Sequence, residues 1–205
     1  MNNIQILSAT DYNRTLYTQQ LSMLNSEAKE HDHTIIQRSH DFFEKIYVQS
    51  IIAVLKQQQS PDLLIGNCSI YDTEISPLRS QDGFEIAHKW IWEIWSVIVD
   101  KGFRWQHLGN KLLRETLKKY MSNYAAIISA TVNPTFNHIA QHHGFMSLKK
   151  DFFPKKYFEQ GEQYLAEALK QHGISFIDSA RFLIQWSREN KRIILDYIQQ
   201  KNGIQ

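Results

Sequence analysis

The sequence predicts an α/β fold, strands alternating with helices, with a helical C-terminal extension. Three observations predict it. Short β-prone runs come before, between and after amphipathic helical stretches along the chain. The run "KWIWEIWSVIVD" (89–100) is β-branched and aromatic and has no polar helical face. An irregular loop and a helix join it to a second strand, and parallel neighbours need that kind of connection. A chain of 205 residues suits one domain with an added segment, and a 42% hydrophobic fraction suffices for a core.

In chain order, "LYTQQLSMLNSEAKEHD" (16–32) places Leu16, Leu21 and Leu24 on one stripe of a helix. "DFFEKIYVQS" (41–50) reads as a second helix or as the approach to a strand. "IIAVLKQ" (51–57) and "LLIGNCSIY" (63–71) flank a Ser-Pro-Asp turn and predict an antiparallel hairpin. Residues 75–85 read as a loop. After the 89–100 strand, "GNKLLRETLKKYMSNY" (109–124) sets Leu112, Leu113, Leu117 and Tyr120 against Lys111, Arg114 and Lys118. "AAIISATVN" (125–133) is a buried strand, and "PTFNHIAQHHGF" (134–145) a short helix from Pro134 to a terminating Gly144. Residues 154–205 read as mostly helical, with one helix starting at an Asp178 cap.

Charge narrows the function classes. The formal net charge is +2, and no stripe of Lys and Arg is dense enough for a phosphate backbone, which argues against nucleic acid. No apolar run approaches the roughly 18 residues a membrane span needs, and the first residues lack a basic-then-apolar leader pattern. A single cysteine, Cys68, excludes an internal disulfide and reads as a small buried hydrophobe. These features predict a soluble, cytoplasmic protein without membrane attachment. His31, His33 and His40 lack the spacing of a zinc set, so no metal is expected.

The segment "FRWQHLGNKLL" (103–113) carries the chemistry. A strand that ends in a loop entering a helix N-terminus presents unpaired N–H groups and the positive end of the helix dipole, a site for a phosphate. Gly109 allows close backbone approach or a positive φ, and Arg104 adds charge. This region resembles the GNAT superfamily of acyl-CoA-dependent N-acyltransferases. The family pattern [Q/R]-x-x-G-x-[G/A] maps onto Arg104, Trp105, Gln106, His107, Leu108 and Gly109, followed by "NKLL". Of the family's N-x-x-A-x-x-x-Y-x-x-x-G-F, the chain has Asn133 and the pair Gly144-Phe145. The resemblance covers about residues 50–147 and implies a GNAT-type sheet, mixed and strongly twisted, flanked by helices. Two positions depart from it: His107 stands at the first motif glycine, and Ala140 at the usual tyrosine, the acid for the leaving thiolate.

The resemblance implies an acetyl-CoA-binding N-acetyltransferase domain over residues 1–153, with 154–205 a helical extension packed on it. Acetyl-CoA would be the co-substrate, lying in a splay between the parallel strands 89–100 and 125–133. Backbone groups of Val97 and Val99 would pair with the pantetheine amides. Arg104, Gln106, His107, Leu108, Gly109 and Asn110 would hold the pyrophosphate, and Asn133 the pantetheine arm. The acceptor would be a small-molecule or peptide amine that attacks the thioester directly in a ternary complex.

Strand alternation places Glu93, Trp95, Val97 and Val99 on one face and makes Glu93 the candidate base. Trp90, Trp92 and Trp95 pack the core or line an acceptor groove. His138, His142 and His143 crowd the last helix of the motif; His143, near the vacated tyrosine position, is the candidate acid. Two other readings stay open. One is a CoA-binding sensor or scaffold without turnover. The other is a partner-binding module in which residues 154–205 dock another protein or form a homodimer.

Overall fold

The structure, a computed structural model, describes residues 3–32, 35, 37–58, 60–72, 78–79, 85–87, 91–120, 126–148 and 181–186. Its strands are β1 (Ile4–Ser8), β2 (Ser50–Leu55), β3 (Leu63–Asp72), β4 (Leu78–Arg79), β5 (Glu85–Ala87), β6 (Ile91–Val99), β7 (Ala126–Thr131), β8 (Met146–Leu148) and β9 (Arg181–Trp186). Its helices are α1 (Arg14–His31), α2 (His40–Ile46), α3 (Leu108–Tyr120) and α4 (Pro134–His142). Seven strands form one sheet in the order β1-β2-β3-β6-β7-β9-β8, and β4 with β5 forms a small separate hairpin. Within the seven-stranded sheet β6 and β7 pair in parallel and every other neighbouring pair is antiparallel.

Two cores cover the two faces. On one, α3 lays Leu108, Leu112, Leu113, Leu117 and Tyr120 on Ala53, Ile65, Cys68 and Ile70, and Ala140 and Phe145 join them. The stripe has helical spacing, and Lys111, Arg114 and Lys118 stay exposed as the period requires. A Cβ at Gly66 would lie 2.9 Å from the Leu112 Cδ1, so the bare backbone lets α3 approach this closely. On the other face, Tyr17, Leu21, Leu24 and Ala28 of α1 and Phe43 and Ile46 of α2 pack on Ile52, Val54, Leu64 and Ile98.

Caps fix the helix ends. Asn13 and Ser39 accept from Leu16 N–H and Phe42 N–H at the starts of α1 and α2. α4 has Asn133 as its cap and Pro134 in its first turn. It ends in a Schellman turn: Phe145 N–H donates to Ala140 O (3.1 Å), Gly144 N–H donates to Gln141 O (2.9 Å), and Gly144 sits at φ +87°.

Four features differ from the sequence reading. β1 and β8 are strands that pattern alone did not mark, being five and three residues long. The predicted 75–85 loop carries the β4–β5 hairpin. Most consequential is β9. Residues after the expected Asp178 cap form a strand over Arg181–Trp186, paired along its whole length with β7, from Thr131↔Arg181 to Ala126↔Trp186. A short apolar run such as "FLI" fits a buried strand as well as a helix. The vacant edge of β7 decides between them. The rest of the expected helical extension lies outside the described residues, as do Trp90 and His33.

Candidate active site

The site begins where two parallel strands stop pairing. β6 and β7 are in register over Ile91↔Ala126, Trp92↔Ile127 and Glu93↔Ile128. The Ser129 hydroxyl then reaches Ile94 O at 3.4 Å. Beyond that point β6 continues against β3 as far as Gly66↔Val99, while the ladder to β7 has ended. The gap opens into a cleft of about 660 Å³ lined by residues from both faces of the sheet. Val97, Val99, Gly109 and Ile139 border it on the α3 and α4 side, and Asn25, Ile35, Arg38 and Trp95 on the α1 and α2 side. It is therefore a slot through the sheet.

A β-bulge sorts the residues of β6 between the two sides. Ser69 pairs with Ser96 and Ile70 with Ile94, which leaves Trp95 as the extra residue. Simple alternation fails there. Val97 and Val99 pack with the α3 core. Trp95 instead stacks on Phe42 of α2, with ring centroids 4.9 Å apart and planes 15° apart. Glu93 accepts a hydrogen bond from Trp95 Nε1 at 2.6 Å and lies opposite Tyr71, whose ring is 5.2 Å from that of Trp95. The expectation that Glu93 and Trp95 share a face with Val97 and Val99 is thus corrected: the bulge turns them toward α1 and α2.

At the other end, Asp100 accepts from Gly102 N–H at 2.7 Å and starts a 3-10 helix over Lys101–Gln106. His107 closes it in the left-handed conformation at φ 55°. Of the two uses expected of Gly109, close approach or a positive φ, the positive φ belongs to His107, two residues earlier. Gly109 sits in the first turn of α3, and a Cβ there would point at Val97, Val99 and Ile139 from 3.8–3.9 Å. The N–H groups of this first turn have no acceptor one turn back within the helix, and the Gly109 and Asn110 residues border the cleft.

The remaining predicted residues divide. Arg104 borders the cleft and donates through Nε to Val99 O at 3.2 Å, so this carbonyl already has a partner. His107 borders it as well. Leu108 is buried in the core at 1% exposure and can offer a ligand only its backbone. Gln106 is half-buried and is not among the residues bordering the cleft. Asn133 borders the cleft, accepts from Phe136 N–H at 3.0 Å and donates through Nδ2 to Asp32 Oδ2 at 2.9 Å.

His143, the expected acid, is not a wall of the cleft. Its Nε2 lies 2.8 Å from Asn110 Oδ1 and ties the end of α4 to the start of α3. Burial, then the neighbouring His142, lowers its pKa against the opposing Asn110 bond, which favours neutral imidazole. His138 and His142 are the α4 imidazoles that border the cleft. Cys68 is buried, and burial pushes its thiol up to about 12, so it stays protonated.

Sequence reasoning missed Asn25, Asp32 and Arg38. They come from the end of α1 and the segment leading into α2, far in sequence from the motif, and no local pattern marks them.

Comparison with solved structures settles the fold. N-acetylglutamate synthase from Neisseria gonorrhoeae, solved with coenzyme A and N-acetyl-glutamate, is 13% identical with a TM-score of 0.60; the match covers 92% of this chain and 36% of that one. A GNAT-family acetyltransferase from Staphylococcus aureus is 16% identical with a TM-score of 0.56, over 90% and 99% of the two chains. The chain has the GNAT fold. A GNAT phosphinothricin acetyltransferase from Sinorhizobium meliloti, solved with acetyl-CoA, is similar too, at 12% identity, TM-score 0.54 and coverage of 91% and 88%. No protein-family model and no curated protein matches the sequence. Within this GNAT fold, Ala140 is fully buried among the residues of the α3 core, so its position offers the cleft no hydroxyl. Among the described residues, no helix is long and apolar enough to cross a membrane.

Proposed function

We propose that the protein is an N-acetyltransferase that moves an acetyl group from acetyl-CoA to a primary amine. The slot through the sheet is the observation that carries this reading, because it gives two substrates separate approaches to one reaction point. The α3 side fits the coenzyme. Amides of the first α3 turn, with Arg104 and His107, would hold the pyrophosphate. The bare Gly109 keeps the cleft floor open, since a side chain there would point at Val97, Val99 and Ile139. The stretch of β6 around Val97, where the ladder to β7 has ended, would take the pantetheine amides. The α1 and α2 side is left for the acceptor.

The amine nitrogen attacks the thioester carbonyl, a C–N bond forms, and the C–S bond breaks with its electron pair on sulfur. Glu93 is not among the residues bordering the cleft, so the amine proton passes to it through a water, and the thiolate takes a proton from solvent. The hydrogen bond that Glu93 accepts from Trp95, a residue of the cleft wall, supports this role. His143 we assign to positioning: it holds Asn110 and thereby the mouth of α3.

Calorimetry with CoA and acetyl-CoA, followed by thiol release with a mixed amine panel, tests the reading. Binding with release supports it; an absence of binding rejects it. A second reading, a coenzyme-binding protein without turnover, draws on Ala140 and on His143 not bordering the cleft. Tight binding without release under every amine would favour that second reading.

A further inference from the structure

The acceptor side of the slot has a chemistry of its own. Arg38 borders the cleft, half-buried, in the segment that leads into α2. Its guanidinium carbon lies 4.8 Å from the ring centroids of both Phe42 and Trp95, which are stacked on each other. Its backbone N–H donates at 2.9 Å to Asn25 Oδ1, and Asn25 is buried within α1. Both ends of the residue are therefore held. A guanidinium packed against aromatic rings keeps its N–H donors in its own plane, the geometry that grips a carboxylate with two parallel bonds. With five donors, it can serve a ligand alongside bonds within the protein.

The charges around it point the same way. Among the described residues that border the cleft, Asp32 is the one carboxylate, and it already accepts from Asn133; Glu93, the proposed base, does not border it and accepts from Trp95 Nε1. Arg38 and Arg104 are the arginines there. Farther along the aromatic row, Lys45 covers the Tyr71 ring at 4.9 Å, so this face is already supplied with cations. A polyamine or aminoglycoside would bring several positive charges to a wall that, among its described residues, offers one carboxylate against two arginines. An amine that also carries a carboxylate would meet a prepared partner.

Resting on the acetyltransferase reading, we infer that the acceptor is a carboxylate-bearing amine, an amino acid or a short peptide, oriented by Arg38 bonding to its carboxylate. This makes Arg38 a specificity residue.

The test uses the full chain, acetyl-CoA and four sets of amines: the standard L-amino acids, their α-amides, spermidine and kanamycin. Thiol release gives kcat and KM, and calorimetry gives CoA affinity separately. At least one free acid should exceed its amide in kcat/KM by roughly tenfold or more, the worth of a charge-assisted bidentate contact. Arg38→Gln should bring that ratio to about one through KM while CoA affinity stays within about twofold; Arg38→Lys should keep part of the preference. Thermal unfolding of both variants checks that they fold. Amides acetylated as well as acids, a preference for spermidine or kanamycin, or CoA binding without turnover of any acid would each overturn the inference. A wild-type chain that binds no CoA overturns the acetyltransferase reading, and this inference with it.

Discussion

His107 occupies the left-handed region at φ 55°, where a Cβ crowds the backbone and glycine does not. His107→Gly should therefore raise stability by about 0.5–1 kcal/mol, read by urea unfolding, even after the extra freedom glycine gives the unfolded chain. Coenzyme affinity should survive if the turn contributes its amide and not its ring. Glu93→Gln keeps the size of the side chain and removes the base. If Glu93 is the base, as proposed, kcat should fall by about 10²-fold with little change in CoA affinity, measured by thiol release and calorimetry. His143 gives a pH signature. Burial holds its folded pKa below the ordinary 6.5, so the unfolded chain takes up the proton first as pH falls. Its contribution to stability is complete above about 6.5 and is lost as pH falls from there toward the folded value. Melting temperature against pH from 7.5 to 5.5 should fall less steeply in His143→Gln than in the wild type.

At the level of elements, α4 is held at both ends by interactions that also shape the cleft. Asn133 caps its first turn and reaches Asp32 at the end of α1. Asn133→Ala removes both and should cost about 1–2 kcal/mol. Asn133→Asp keeps an acceptor for Phe136 N–H but sets a second carboxylate beside Asp32. It should recover the cap stability while leaving the end of α1 less protected in hydrogen exchange. The bulge in β6 works on the same scale. One extra residue turns Trp95 and Glu93 toward α1 and α2 while Val97 and Val99 face α3. No substitution of a single side chain on that strand could move both groups of residues together.

For the molecule as a whole, β9 ties residues 181–186 to the strands at 126–131 and 146–148. It lies between β7 and β8, and Phe182, Leu183 and Ile184 are buried at 0–4% exposure. Deleting residues 181–205 should strip β7 of a partner along its whole length and expose a hydrophobic edge. Loss of soluble monomer, seen by size-exclusion chromatography with light scattering, is the expected result. For the same reason, a truncation near residue 153 is no clean test of oligomerisation by the C-terminal segment, because it removes a strand of the central sheet.

By itself the sequence determined the local elements whose cause is local. The leucine stripe of α3, the Pro134 start and Gly144 stop of α4, and the aromatic strand β6 follow from periodicity, capping and β-propensity, and all stand where the pattern puts them. The helix mouth at Gly109 and Asn110 was legible for the same reason. Only the tertiary structure decided what depends on partners distant in the chain. Strand "RFLIQW" is a strand because β7 offers it hydrogen bonds. Glu93 faces α2 because β3 pairs with β6 one residue out of step. Arg38 joins the cleft because α1 and α2 fold over the sheet beside Trp95. Propensity acts over a few neighbours, whereas register, edges and clefts arise from contacts between elements, and one short stretch of sequence does not contain them.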